Sequence, residues 1–125
     1  MTELRSLPPC GQGSCVSTQA PRTDPVHRIE PLAFAASREI AIGAVLAALG
    51  RIPRVRILER DAVSVHAVVR SAWLRVPTDL ELRVDAAAGL VHLRASTRIA
   101  VRERASSRVR ALGLLALIDR ELRAG

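Results

Sequence analysis

The chain has no lysine and no tyrosine, and only one phenylalanine, one tryptophan, one methionine and two cysteines in 125 residues. Each shortage narrows the function. Proteins that grip single-stranded nucleic acid stack bases on aromatic side chains, and an aromatic content of 2% argues against that role. No recognised DNA-binding motif is present either. The longest apolar run, Ile40 to Leu49, is far shorter than the ~20 residues a membrane helix needs. The opening residues, MTELRSLPPCGQG, hold no apolar run of signal-peptide length. A soluble, cytoplasmic protein without a transmembrane segment is therefore expected.

What is present is arginine and aliphatic carbon. Hydrophobic residues make up 49% of the chain, enough for one domain with a real core. All 19 basic residues are arginine, whose planar fork matches carboxylate and phosphate groups, and the net charge is +7. The excess is concentrated. Residues 1–93 carry eleven arginines against nine acids, and residues 111–125 carry two against two. The stretch RASTRIAVRERASSRVR, Arg94 to Arg110, carries six arginines against Glu103 alone. A local excess of this kind suits an anionic partner better than uniform basicity would.

Residues 1–31, rich in Pro, Gly, Ser, Thr and Gln, read as a loop-like arm packed on the domain formed by residues 32–125. SREIAIGAVLAALGRIP predicts a helix with Ser37 as N-cap, an apolar stripe at Ile42, Val45, Leu46 and Leu49, and a stop at Gly50 and Pro53. Four strands follow. RVRILER alternates, with Val55 and Ile57 on one side. VSVHAVVRSAWLRV is long and apolar. DLELRVD puts Leu80, Leu82 and Val84 inward, and GLVHLRAST does the same with Val91, Leu93 and Ala95. A last helix starts at about Ser107, with Ala111, Leu114, Ile118 and Leu122 on one face. The expected fold class is α+β: a single compact domain, a four-stranded antiparallel meander with one helix before and one after the sheet. Both helices cover one sheet face and the other stays polar.

Matching inward faces restrict the last hairpin to registers two residues apart. A four-residue loop puts Glu81 opposite Arg94, and a two-residue loop puts Asp79 there. Either acid makes a surface ion pair, or Arg94 and Arg98 extend an anion-binding face. Ser106 and Ser107, followed by Arg108 and Arg110 in the first helical turn, suit an anion at a helix N-terminus. The expected ligand-binding residues are accordingly Asp79, Glu81, Arg94, Arg98, Glu103, Arg108 and Arg110, with Arg102 and Arg104 as solvated loop charges.

Cys10 and Cys15, in PCGQGSC, leave three readings open. A disulfide is disfavoured by a reducing cytoplasm. A zinc site with His27 lacks a fourth ligand and a standard spacing, so no metal or cofactor is expected. A Cys15–His27 nucleophile pair would make a cysteine-dependent enzyme. His66 and His92 lie within strands as packed or sheet-edge side chains.

Three stretches carry a family resemblance. SCVSTQAPRTDPVHRIEPL, PTDLELRVD and VHLRASTRIAVRERASSRVRAL resemble the three blocks of the domain of unknown function 1499 family, small proteins largely of bacteria and plastids. Cys15, Val16, Ser17, His27, Ile29, Pro31 and Leu32 fit its first block, and Asp79 and Glu81 its second. Arg94, Thr97, Arg98, Glu103, Arg108 and Arg110 fit its third. Ser14, Thr78, Ala95, Ala100, Ala105 and Ser107 depart from the pattern, two of them where the family has glycine beyond the strand. The resemblance implies a bacterial member of a family with no established biochemical activity. The expectation is a binding protein, not an enzyme, for a small anionic ligand or acidic protein partner. The alternatives are the cysteine enzyme and a nonspecific nucleic-acid or anionic-membrane binder.

Overall fold

Alternating side chains decide the sheet. In the computed structural model, which describes residues 7–10, 14–73, 75–97 and 106–124, strands β5 (Pro77–Asp85) and β6 (Leu90–Thr97) bury every second residue. Thr78, Leu80, Leu82 and Val84 lie in phase with Val91, Leu93, Ala95 and Thr97. The other strands are β1 (Cys15–Ser17), β2 (Leu32–Ala33), β3 (Val55–Arg60) and β4 (Ser64–Arg70), with helices α1 (Arg38–Gly50) and α2 (Ser106–Ala124). The sheet runs β1-β6-β5-β4-β3, antiparallel throughout, and β2 pairs with β6 beyond β1.

The fold is α+β with two helices, and the β3–β6 meander is the one expected. The sheet has six strands, however, because the arm read as loop contributes β1, and β2 follows it. A second difference lies after β4. The apolar run does not continue as strand to Val76 but turns at Ser71, whose amide donates to Val76 O (3.1 Å) while the Val76 amide donates to Ser71 Oγ (3.0 Å). Edge strand β3 carries a bulge between Ile57 and Glu59, and Ile57 stays exposed instead of facing the core.

Ser37 caps α1, accepting from the Ile40 amide at 3.2 Å. The buried side of α1 is Ala41, Ala44, Val45, Ala48 and Leu49, with Ile42 and Leu46 at its margin. The expected stripe is thus rotated toward alanines, whose small side chains let α1 lie close to its neighbours. α2 buries Ala111, Leu114, Leu115 and Ile118 beside it, and Arg51 pairs with Glu121 across the two helices. Both helices cover the face of Val65, Ala67, Leu80, Leu82, Val91 and Leu93, which forms one core. Fully burying a side chain of this size contributes roughly 1.5–3 kcal/mol.

Four polar residues are linked in a buried chain. Thr78 Oγ1 meets Thr97 Oγ1 at 3.1 Å, Thr97 Oγ1 meets Ser107 Oγ at 2.8 Å, and Ser107 Oγ donates to Ser14 O at 2.9 Å. Ser107 is therefore a buried link between α2 and the sheet, and not a cap facing solvent. Cys10 and Cys15 form a disulfide, against the expectation that this pairing is disfavoured. Among the described residues no helix is long and apolar enough to cross a membrane.

Candidate functional site

Three of the expected site residues, Asp79, Glu81 and Arg94, fall on the open sheet face. The β5–β6 loop has four residues, so Glu81 stands directly opposite Arg94. Their ion pair is 3.0 Å long and mostly covered, with the side chains 21% and 15% exposed. Arg94 also approaches Pro9 O at 3.5 Å. Asp79, one pleat away, meets His66 Nε2 at 3.2 Å. Arg108 turns elsewhere: its guanidinium donates to the backbone carbonyls of Pro25, Val26 and Arg28 at 2.9–3.3 Å. It braces the turn that carries His27. Arg110 is half-buried in the first part of α2. Arg98 and Glu103, with Arg102 and Arg104, lie outside the described residues.

Cys15 is 4% exposed and its sulfur is bonded to Cys10, so this structure offers no thiol to His27. His27 has another partner. Its Nδ1 lies 2.7 Å from Asp24 Oδ2, and its amide donates to Asp24 Oδ1 at 3.3 Å. The hydrogen bond from the His27 ring holds the Asp24 carboxyl below the usual carboxylate range. Among the described residues no group of three His, Cys, Asp or Glu side chains is placed to hold a metal ion.

The pair Asp24 and His27 lines a cleft of about 780 Å³. One wall is Leu7–Cys10, held by the disulfide and by the Leu7 amide donating to Gln19 Oε1 at 2.6 Å. The opposite wall is the Ser17–Pro31 loop, and Leu90 and His92 of β6 close the end. His92 Nδ1 lies 2.9 Å from Thr18 Oγ1, which accepts the Leu93 amide at 3.0 Å. Burial pushes the His92 pKa below its ordinary value, with Arg28 acting the same way and Asp85 opposing. In the tautomer protonated at Nε2, Thr18 donates to Nδ1 and the ring offers its Nε2–H as a donor.

Arg22 and Arg28 both line the cleft, and of the two Arg28 is the half-buried one. Its Nη1 donates to Ala20 O at 3.0 Å, and its Nε is buried with no partner among the described residues. Of the two acids lining the cleft, Asp24 is engaged by His27. Glu30 is 80% exposed and comes only within 3.7 Å of Arg28. Sequence reasoning reached His27 but missed Arg28, Thr18 and His92 as a group. They lie up to 74 residues apart and meet because β1 joins β6.

The sequence model of the family described as Protein of unknown function (DUF1499) matches residues 6–115. The chain belongs to the DUF1499 family. No curated protein matches it. On the fold, the first and third of the stretches bearing the DUF1499 resemblance meet around one cleft. Ser17, His27 and Pro31 line it, Arg94 contacts the wall at Pro9, and Arg108 braces the turn behind His27.

Proposed function

We propose that the cleft binds a small anion bearing a carboxylate or phosphate, with Arg28 as its charged anchor and the Nε2–H of His92 as a second donor. The observation that carries this reading is the half-buried Arg28 guanidinium lining a cleft of about 780 Å³, with its nearest carboxylate, exposed Glu30, no closer than 3.7 Å. An anion in the cleft would give the Arg28 guanidinium a charge-assisted partner, stronger than the neutral carbonyl it now holds. Arg94 and Arg108 then serve as braces for the cleft walls. The stretch Arg98–Arg104 adds positive charge to the chain, which favours an anion or an acidic partner.

Thermal unfolding with phosphate, citrate and short dicarboxylates tests the proposal. A ligand that binds only the folded state raises the melting temperature by mass action. The expected result is a rise of several degrees for wild type and for Arg98→Ala, lost in Arg28→Gln. A rise lost in Arg98→Ala but kept in Arg28→Gln would move the site to the basic stretch.

A second reading rests on the Asp24–His27 pair, since a carboxylate on Nδ1 orients an imidazole to act as a general base through Nε2. The version with Cys15 as nucleophile requires the disulfide to be reduced. Reduced, unlabelled protein whose Cys15 reacts with iodoacetamide in a parallel sample but which turns over no model thioester would remove it. The disulfide also fits an oxidising compartment better than the cytoplasm expected from the sequence.

A further inference from the structure

Away from the cleft, the turn between β4 and β5 presents the chain's single tryptophan. Trp73 is 94% exposed. Three exposed arginines, Arg70 and Arg75 of the same turn and Arg54 at the start of β3, are tied to one another through the backbone. Arg54 Nε donates to Arg70 O at 3.1 Å, the Arg70 amide donates to Arg54 O at 3.1 Å, and Arg70 Nη1 donates to Arg75 O at 3.2 Å. Among the described residues none of the three forms an ion pair with a carboxylate. No acid occurs between residues 67 and 78 or between residues 50 and 58. Arg54 and Arg75 also hold left-handed backbone angles, φ 60° and 55°, although neither is glycine. Such strain is uncommon outside sites where a particular geometry is used.

Burial gives no reason for an indole in this position, and a folded chain gains nothing from gathering three unpaired cations together. Both features become favourable at a surface that is apolar below and anionic above. Indole rings settle at the headgroup level of a bilayer, and cations near an anionic leaflet are attracted to it. We propose that this corner docks on an anionic lipid surface, Trp73 entering the interface while Arg54, Arg70 and Arg75 face headgroup phosphates. Ile57 and Leu58, exposed on the neighbouring edge strand, add apolar area. Nucleic acid is the poorer fit, because strand binding uses several stacking aromatics, and Phe34 is packed against the core. The inference is independent of the cleft and of what the cleft binds.

Because Trp73 is the chain's single tryptophan, its own emission reports the event. The full chain is mixed with vesicles of phosphatidylcholine alone and of phosphatidylcholine with phosphatidylserine. The expected result is a blue shift and co-sedimentation with the anionic vesicles only, weakened by salt. Arg75→Gln and Arg70→Gln should each lower the partition about fivefold. Trp73→Ala, followed by sedimentation, should abolish it, while Arg120→Ala on exposed α2 should leave it unchanged. All four variants alter exposed side chains, and circular dichroism verifies their folding. Three results would overturn the proposal: no shift with anionic vesicles, equal sedimentation of Trp73→Ala, or a shift produced by an oligonucleotide and not by vesicles.

Discussion

His92 shows how one residue can read differently in a strand pattern and in a fold. By alternation it points away from the core, and its neighbours on β6, Val91 and Leu93, are buried as the pattern requires. The face it points to is nonetheless covered by the Thr18 segment, and this cover makes its charged form costly. The sign of the pH effect follows. With a folded pKa below 6.5, the unfolded chain binds the proton more readily than the folded chain does. Stability contributed at this site is therefore present above pH 6.5 and lost as pH falls from there through the folded value. Urea unfolding of wild type and His92→Gln above and well below pH 6.5 should show the wild type losing more stability on acidification. An anion held by Arg28 should reduce that loss by favouring the imidazolium. Equal slopes for the two proteins would place His92 in contact with water.

At the scale of elements, the turn at Gly89 is the most constrained joint in the sheet. Gly89 has φ +68°, its carbonyl accepts the Phe34 amide at 2.9 Å, and an added Cβ would come 2.9 Å from Phe34 O. Gly89→Ala therefore meets both a left-handed conformation that costs about 1–2 kcal/mol for other residues and a backbone contact that must move. Denaturant unfolding should show a loss of about 2 kcal/mol or more, together with loss of hydrogen-exchange protection at Phe34. The same scale shows why some elements were legible in the sequence. β5, β6 and α2 bury their apolar residues at strict periods, and the matching faces left two registers for the hairpin, one of which the fold uses. β1 and β2 have three and two residues, too few for a period, and they form only because β6 offers them an edge. The turn after Arg70 was read as strand because it has no glycine, proline or asparagine at its tip; Arg75 takes the left-handed angle instead. The candidate site was legible to the same degree. The Glu81–Arg94 pair follows from side-chain alternation, whereas Arg108 spends its charge on backbone carbonyls, which no residue pattern announces. The cleft depends on β1 and was hidden with it.

For the molecule as a whole, a short covalent ring closes one wall of the cleft on the open sheet face. Among the described residues the wall Leu7–Cys10 is otherwise held by the buried Leu7 side chain, one hydrogen bond from the Leu7 amide to Gln19 and a long contact from Arg94 to Pro9. The disulfide closes only the chain between Cys10 and Cys15, and a loop that short restrains the unfolded state by about 2 kcal/mol at most. Its larger effect is then expected on the cleft, because one end of the wall is anchored through it to Cys15 beside Ser96 on β6. Reduced protein, and the double variant Cys10→Ala with Cys15→Ala, should lose up to about 2 kcal/mol in urea unfolding. They should lose a larger share of whatever protection phosphate gives the oxidised protein. If global stability falls while phosphate protection is kept, the wall holds its place without the bond and the cleft is shaped by the Ser17–Pro31 loop alone. If protection is lost while the sheet stays folded, the redox state of one cysteine pair governs access to Arg28, and ligand binding becomes a property of the oxidised chain.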